Sequence, residues 1–367
     1  MGLDRERVIF LVDLDYFYAQ CEERRNLDYK NKPVVVCIYT ARGEDSGAVS
    51  TANYIARRFG VKAGISISLA KRLLKGKEAV FIPADRDFYA DVSNRVMSII
   101  RNYADDFEQV SIDEAYLDVS KKVQRDFVLA EKLAKEVKGA ILARERLTCS
   151  IGVGPNKLMA KIAAGHNKPD GLTLVRPSEV KSFLFSLPVD KLPGVGEKTE
   201  KSMFSLNVKT IGDLANWRLE ELIKTFGRTL GLYFHQASNG VDDTPVQERE
   251  MAEQISRITT LKEDTQDINI ISNTIGGLCE KIQATASSRK LFFRSVGLIF
   301  VTENLGVHNR SKTLETATGD FNTVKGVLKE LSENFLREEP NTKIRRIGVK
   351  ISNLEEHTQQ KNLSDFL

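Results

Sequence analysis

The stretch SIDEAYLDVS, residues 111–120, places two neighbouring acids, Asp113 and Glu114, inside a run that otherwise has the composition of a β-strand. In a straight strand, neighbouring side chains point to opposite faces. The two carboxylates can therefore converge only if the chain bends at 112–114, and the polar residues just before that point favour a bend. We predict a β-hairpin over Phe107–Val119 that presents both acids at its bend.

A third acid ends an apolar, β-favouring run, VIFLV at residues 8–12, which predicts a buried strand. Asp13 follows this run, and Asp15 competes with it because a period of two places both on one strand face. Converging carboxylates repel one another unless a divalent cation is bound, and hard oxygen ligands suit Mg²⁺. Two such ions would support phosphoryl transfer. Ordinary acids at a strand end and a turn are the alternative that spacing leaves open.

Composition sets wide limits on the function. The chain has 367 residues, 41% of them hydrophobic and 28% charged, which predicts a globular protein of two to four domains. A net charge of +4 permits a nucleic-acid partner without demonstrating one. Neither a signal peptide nor an apolar run long enough to cross a bilayer is present, so we expect a cytoplasmic protein. The four cysteines are scattered and are expected to be buried thiols: Cys21, Cys37, Cys149 and Cys279.

The organisation along the chain changes twice. Strands alternate with helices to about residue 175, which predicts an α+β or α/β domain, and Ser50–Phe59 is predicted to be a helix within it. Short helical segments separated by Pro and Gly then predict a small all-α domain over 177–239. A polar, Pro-containing linker leads to a final α+β unit that ends at Ser352, before a polar tail.

Five blocks, in order along the chain, resemble the signature motifs of one family. They are VDLDYFYAQCEE (12–23), SGAVSTANYIARRFGVKAG (46–64), SIDEAYLDVS (111–120), GPNKLMAKIAAGHNKPDG (154–171) and LPGVGEKT (192–199). The chain resembles the Y-family DNA polymerases, in particular the DinB/polymerase IV branch and its archaeal lesion-bypass members. The resemblance covers nearly the whole chain and depends on no single block.

The resemblance implies an α+β multidomain fold with the right-hand arrangement of polymerases. A palm with a mixed sheet would comprise 1–17 and 83–175, and small fingers 18–82. An all-α thumb with a helix-hairpin-helix would comprise 176–240. A linker at 241–252, a little-finger domain at 253–352 and a C-terminal tail at 353–367 would follow.

The resemblance also assigns the metal site. Asp13, Asp113 and Glu114 match the metal-binding acids, the Leu14 carbonyl matches a further ligand, and Asp15 becomes a structural neighbour. Two Mg²⁺ ions are implied, with Mn²⁺ as a possible substitute. Tyr18 matches the steric gate, a ring beneath the sugar that would collide with a ribose 2′-OH.

Residues around the incoming nucleotide follow in the same way. Tyr54 and Arg57 share one helix face at i, i+3 and match the pair that grips the triphosphate. Lys168 matches a second phosphate-binding cation, while Thr51 and Phe17 are implied nucleotide contacts. The small residues Gly47, Ala48 and Ser50 match the roof over the nascent base pair.

Contacts with duplex DNA are predicted in the last two domains. Gly194 and Gly196 lie in a turn whose backbone N–H groups can approach a phosphate. In the final domain, Arg346 and Lys350 alternate on one strand face, and we place Arg257 on the same exposed sheet face, where cations would bind a phosphate backbone.

The last eight residues, QKNLSDFL, keep apolar side chains on a polar terminus, which predicts a partner. Gln360, Leu363, Phe366 and Leu367 match a sliding-clamp binding peptide, with Leu in place of an aromatic at the end. A tail that folds back onto its own domain is the alternative.

The function implied is translesion DNA synthesis by a monomeric, low-fidelity and distributive polymerase at the nucleoid. It would extend a primer on a template with dNTPs. Two rivals come from other classes: a catalytically silent scaffold that binds DNA and recruits the clamp, and a two-metal nuclease. Neither needs a steric gate or a triphosphate-gripping pair.

Overall fold

The computed structural model describes residues 7–248 and 254–356, and these form two compact units. The first unit contains the described residues up to Cys37, then Val49–Ile65, and then the chain from Leu69 to residue 248. The second contains Ile38–Ala48, Ser66–Ser68 and the described residues from 254 onwards. Within these described ranges no helix is both long and apolar enough to cross a membrane.

Eight strands and eleven α-helices lie before the final α+β unit, in the described chain up to residue 248. The strands are β1 Ile9–Leu14, β2 Val34–Tyr39, β3 Gly47–Ala52, β4 Val80–Pro83, β5 Asp106–Gln109, β6 Glu114–Asp118, β7 Cys149–Gly154 and β8 Leu172–Leu174. The helices are α1 Phe17–Arg25, α2 Tyr54–Arg57, α3 Ile67–Leu73, α4 Arg86–Arg101, α5 Phe127–Glu145, α6 Lys157–His166, α7 Val180–Phe185, α8 Glu197–Ser205, α9 Ile211–Ala215, α10 Leu219–Phe226 and α11 Arg228–Ser238.

The central sheet has the strand order β5-β6-β1-β7-β8, so the apolar run near the N-terminus forms its middle strand. β1 pairs antiparallel with both β6 and β7, and β7 pairs parallel with β8. In the register between β1 and β6, Asp13 lies directly opposite Glu114. The predicted hairpin is present: β5 and β6 pair antiparallel, and residues 110–113 form the bend between them.

Helices cover both faces of this sheet. Phe10 and Val12 face a large apolar core that includes buried side chains of α4 and α5. Ile9 and Leu11 alternate to the other face and pack with Ala160 and Ala164 of α6. α6 comes very close to the sheet because Gly152 of β7 has no side chain: a Cβ there would lie 2.0 Å from the Ala160 carbonyl oxygen. This approach sets the distance between α6 and the end of β1.

The predicted helix over Ser50–Phe59 is wrong in its first half. Residues up to Ala52 belong to β3, the edge strand of a small sheet with the order β3-β2-β4. The helix α2 begins only at Tyr54, because the Asn53 side chain caps it by accepting a hydrogen bond from the Ala56 N–H. Asn53 Oδ1 also accepts from the Val34 N–H, which joins the cap to β2.

The all-α segment packs around an apolar core that includes Leu184, Met203, Leu214, Leu222 and Phe234. Helices α7 to α11, which the Pro- and Gly-punctuated sequence predicted, supply this core together with buried residues of α6: Leu158, Met159, Ile162 and Ala163. A capping box at Thr210 and Asp213 begins α9.

The final α+β unit consists of β9 Gln254–Thr265, α12 Ile268–Ser288, β10 Leu291–Thr302, β11 Val307–Thr318, α13 Phe321–Glu338 and β12 Ile344–Glu356. Its sheet has the order β11-β10-β12-β9, and both helices pack on one face over a core that includes Phe293, Phe300 and Phe335. The predicted end of the last strand at Ser352 is wrong, because pairing with β10 continues to Glu356. The four cysteines are buried thiols, as expected.

Candidate active site and nucleic-acid interface

The three predicted metal-binding acids meet at one end of the central sheet. Asp13 and Glu114 are directly paired residues of antiparallel strands, so their side chains share a face. Asp113 lies in the bend, where its carbonyl oxygen accepts from the Leu14 N–H at 2.9 Å. Burial raises the pKa of Asp13, the Lys168 ammonium lowers it, and the carboxylates of Asp113 and Glu114 raise it further. Asp113 and Glu114 are therefore each close enough to Asp13 to repel its carboxylate.

Lysines neutralise two of these acids in the structure. Lys168 Nζ lies 2.5 Å from Asp13, and Lys161 Nζ lies 2.9 and 3.1 Å from the two carboxylate oxygens of Glu114. The carboxylate of Asp113 accepts from Ser111 Oγ at 2.5 Å. Within 7–248 and 254–356, no three His, Cys, Asp or Glu side chains converge tightly enough to hold an ion. The donor set nevertheless fits hard divalent cations, because it consists of carboxylate oxygens and because Asp113 and Glu114 repel the carboxylate of Asp13.

Asp15 is fully buried and has a different environment from Asp13. It accepts hydrogen bonds from Thr148 Oγ1 at 2.9 Å, Ser150 Oγ at 2.7 Å and the Asp170 N–H at 2.8 Å. These contacts join the end of β1 to β7 and to the loop after α6. A carboxylate with this many donors is held in place and is not free to bind a metal ion.

Tyr18 lies on α1 near the acids. Burial raises its pKa, and the carboxylate of Asp113 adds to the shift. Its ring stacks on Tyr89 of α4, with centroids 4.3 Å apart and planes 14° apart. The hydroxyl of Tyr89 donates to the buried carboxylate of Glu22 at 2.7 Å.

The side chain of Phe17 is buried in the core between α1 and α4. A nucleotide contact at this residue would therefore be limited to its backbone. Tyr16 caps α1 in the left-handed region, with φ of 37°, and gives no side-chain hydrogen bond to the helix. The N–H groups of the first turn are thus left without a side-chain cap, as an anion site at a helix N-terminus requires.

Tyr54 and Arg57 lie together on α2. The Arg57 guanidinium covers the Tyr54 ring at 4.7 Å, and its Nε donates to the Ala52 carbonyl at 2.9 Å. Burial raises the pKa of Tyr54, Arg57 lowers it, and Asp15 and Asp13 raise it, so this pair lies within electrostatic reach of the acids. Thr51, on β3, is partly exposed just before this helix.

The Tyr54–Arg57 pair is supported by ring packing and hydrogen bonds that the sequence did not indicate. The Tyr16 ring packs edge-on against Tyr54 at 5.4 Å, and its hydroxyl donates to Glu23 at 3.2 Å. Asn53 Nδ2 also donates to Glu23 at 2.7 Å. Asn53 could have been found as a helix-capping residue, since Asn is favoured at that position. Nothing in the sequence indicates its bond to Glu23.

Sequence profiles of known families match most of the chain. The impB/mucB/samB family matches residues 12–165, its C-terminal domain matches 252–363, and the thumb domain of DNA polymerase iota matches 190–242. The chain is 43% identical to the DNA polymerase IV of Nitrosopumilus maritimus, over 98% of this chain and 99% of that protein. The chain belongs to the Y-family DNA polymerases, in the DinB/polymerase IV branch. It is a DNA-directed DNA polymerase.

Other relatives agree with this assignment. The DNA polymerase IV of Methanosarcina acetivorans is 43% identical, over 98% of this chain and all of that protein. A Y-family polymerase chimera of Dbh and Dpo4 matches with a TM-score of 0.90 at 34% identity, covering 95% of this chain and 100% of that chain. An insertion ternary complex of Dbh DNA polymerase has a TM-score of 0.69 at the same identity and coverage.

The thumb of this Y-family polymerase contains the predicted glycine turn. Gly194 has φ of 87°, a conformation that favours glycine, and the Tyr233 hydroxyl fixes the turn by donating to the Pro193 carbonyl at 2.5 Å. Gly196 caps α8, and a Cβ there would meet nothing within 4 Å. The turn therefore has open space beside a helix N-terminus.

In the final domain of the polymerase, Arg346 and Lys350 lie on the sheet face opposite the helices, as predicted. Arg257 does not. It pairs with Val349, a core residue, and its Nη2 lies 3.3 Å from Thr285 Oγ1 of α12. Arg257 thus lies on the helix side of the edge strand β9, because the register brings Ser256 opposite Lys350 instead. The predicted clamp-binding residues lie outside the described residues.

Proposed function

We propose that this polymerase extends a DNA primer by two-metal-ion phosphoryl transfer, with low fidelity and low processivity, in translesion synthesis. The observation that carries the proposal is the direct pairing of Asp13 with Glu114, beside a bend that adds Asp113. A fixed sheet register presents carboxylates from two strands to the same space. This is the arrangement that phosphoryl transfer needs, because charge develops on both the attacking and the leaving oxygen.

The chain's own groups have separate tasks in this proposal. Asp13, Asp113, Glu114 and the Leu14 carbonyl would hold two Mg²⁺ ions, or Mn²⁺ in their place. Bound metal supplies an activated primer 3′-oxygen and stabilises the leaving pyrophosphate.

The triphosphate of the incoming dNTP would be bound from the other side. Arg57, fixed by Ala52 and stacked on Tyr54, offers a planar fork of donors to phosphate oxygens. Lys168 would exchange Asp13 for phosphate oxygens, and the uncapped first turn of α1 adds backbone N–H groups near Phe17. Thr51, just before α2, would complete the contacts.

Low fidelity and lesion tolerance are proposed from the small residues of β3. Gly47, Ala48 and Ser50 lie on the strand that leads directly into α2, so they form part of an extended strand and not a simple turn. Small side chains there would leave room for distorted template bases.

Duplex DNA would be bound by the thumb turn and by the final domain. Gly194 and Gly196 would bind phosphates through backbone N–H groups, and Arg346 and Lys350 would bind them through their charges.

A primer-extension assay with labelled primer, template, dNTPs and Mg²⁺ tests the proposed function. A longer product is expected. An unchanged primer would indicate the scaffold, and a shortened primer would indicate the nuclease. Running the assay with and without EDTA on the same protein separates a metal requirement from residual activity.

Tyr18→Ala is expected to raise the ratio of ribonucleotide to deoxynucleotide incorporation by about two orders of magnitude, because removing a ring that collides with the 2′-OH relieves several kcal/mol of steric discrimination. Tyr18→Phe serves as the matched control, since it keeps the ring and its stack on Tyr89. The measurement is single-nucleotide incorporation of each NTP and dNTP. An unchanged ratio in Tyr18→Ala would refute the gate.

Deleting residues 360–367 is expected to abolish stimulation by a sliding clamp and to leave basal extension unchanged. The removed segment supplies Gln360, Leu363, Phe366 and Leu367, the anchors of the proposed peptide. The measurement is extension with and without the clamp, alongside Leu363→Ala and Phe366→Ala in the full chain. Equal clamp stimulation of the deleted and full-length proteins would exclude this peptide. The protein is expected to remain monomeric in both forms.

A further inference from the structure

Two lysines on α6, one helical turn apart, reach acids of the β5–β6 hairpin in different ways. Lys157 Nζ lies 2.6 Å from Glu108, and the pair is well covered, with side chains 16% and 4% exposed. The ammonium also lies 4.9 Å above the Tyr116 ring. Lys157 therefore has the environment of a structural ion pair, with a buried partner and little access for any ligand.

Lys161 has the opposite character. Its side chain is 39% exposed, and its ammonium contacts both carboxylate oxygens of Glu114. Glu114 belongs to the proposed metal site, so divalent cations would take over the oxygens that Lys161 now contacts. The lysine would then be a cation at the edge of the reaction site without its carboxylate partner, and its exposure leaves it accessible to an anionic ligand.

The surroundings of Lys161 indicate which anion it would meet. Lys161 lines a cavity of about 590 Å³ whose other walls include Pro193, from the glycine turn of the thumb, and Tyr233. That turn is the proposed contact for duplex phosphates. The incoming nucleotide is proposed to bind at Asp13 instead. Lys168 forms an ion pair with Asp13 there, and the charge of Asp13 adds to the effect of burial in raising the pKa of Tyr54. The cavity thus lies between Lys161 and that turn. Asp242, whose carboxylate accepts from the Leu158 N–H at 3.0 Å, and Asp243 also line it.

We propose that Lys161 binds the last phosphodiester of the primer, the one between its two terminal nucleotides, and so positions the 3′-end at Glu114. Lys161 is a primer-positioning residue, while Lys168 acts on the nucleotide side. The inference depends on the proposed function, since it needs a primer at this site. It does not depend on turnover, because the contact forms when DNA binds.

The test uses a neutral methylphosphonate at that single phosphodiester, in a primer ended with a dideoxynucleotide so that no extension occurs. The dissociation constant is measured by fluorescence anisotropy in Mg²⁺. For the unmodified duplex, Lys161→Gln is expected to weaken binding about tenfold, the scale of one charge-assisted hydrogen bond. The methylphosphonate is expected to weaken DNA binding by the wild-type protein by a similar factor and to leave DNA binding by Lys161→Gln unchanged.

Two controls make the result specific. Lys132→Gln removes an exposed lysine from α5 and should respond to the modification as the wild-type protein does. A methylphosphonate placed four phosphates further from the primer end should weaken DNA binding by the wild-type protein and by Lys161→Gln equally. Thermal melting of each variant checks that it is folded.

The proposal is overturned if Lys161→Gln remains as sensitive to the terminal methylphosphonate as wild type, or if it binds the unmodified duplex normally. Failure of the wild-type protein to extend an ordinary primer is a separate result, which would overturn the proposed function instead. If the wild-type protein extends an ordinary primer but its DNA binding is not changed by the terminal methylphosphonate, the proposed function stands. Only the proposed role of Lys161 is then overturned.

Discussion

Replacing Glu114 with alanine is expected to reduce primer extension at least about a thousandfold, the scale seen when one stabiliser of developing charge is removed from a reaction centre. Asp113→Ala is expected to have a comparable effect. Each change removes a carboxylate from a site where the acids of β1 and the β5–β6 bend face one another. The measurement is single-turnover incorporation of one dNTP at saturating Mg²⁺.

DNA binding separates this effect from damage to the fold. Both variants should bind primer-template within a few-fold of wild type, because the carboxylates contribute repulsion and not attraction towards phosphates. Glu136→Ala, an exposed acid on α5, is the control for loss of one negative charge and should extend normally. Near-normal extension by Asp113→Ala or Glu114→Ala would remove these residues from the reaction site.

The second large effect is on stability. Asp15→Ala is expected to lower the free energy of unfolding by about 3 kcal/mol or more, because buried donors left without a partner each cost about 1–3 kcal/mol. The donors are Thr148, Ser150 and the Asp170 N–H, all now bonded to this carboxylate. Urea-induced unfolding, followed by circular dichroism, measures the change.

Asp13→Ala gives the contrasting case at the acid that lies within β1. It should lose extension as Asp113→Ala does, while its unfolding free energy should stay much closer to wild type. Asp13 is held by one lysine and is repelled by two acids, so its removal leaves fewer groups without a partner. If Asp15→Ala unfolded as wild type does, or if Asp13→Ala proved the less stable variant, the assignment of structural and catalytic roles would be reversed.

The sequence could predict the bend at Asp113 because two adjacent acids in a strand-like run have few other uses. It could not choose between Asp13 and Asp15 from physics, since a period of two treats them alike. The choice depends on partners from distant parts of the chain, which β7 and the loop after α6 supply. Resemblance to a family made that choice where residue spacing could not.

Other errors have the same origin. Arg257 was placed on the wrong sheet face because alternation within a strand does not say which residue of the neighbouring strand lies opposite. The contact of Lys161 with Glu114 gave no signal in the sequence, because it depends on how closely α6 lies against the sheet, which the glycine at 152 permits. Local patterns thus identified the elements, and the register between them decided which side chains meet.

The stack of Tyr18 on Tyr89 has a consequence for making synthetic polymers. Tyr89 is fully buried and bonded to Glu22, so the ring of Tyr18, the proposed steric gate, lies on a base that cannot shift to admit a bulkier sugar. Directed evolution towards 2′-fluoro or 2′-methoxy nucleotides should therefore select changes at position 18 itself. Libraries that vary the supporting ring would instead lose folded enzyme before they gained a wider choice of monomers.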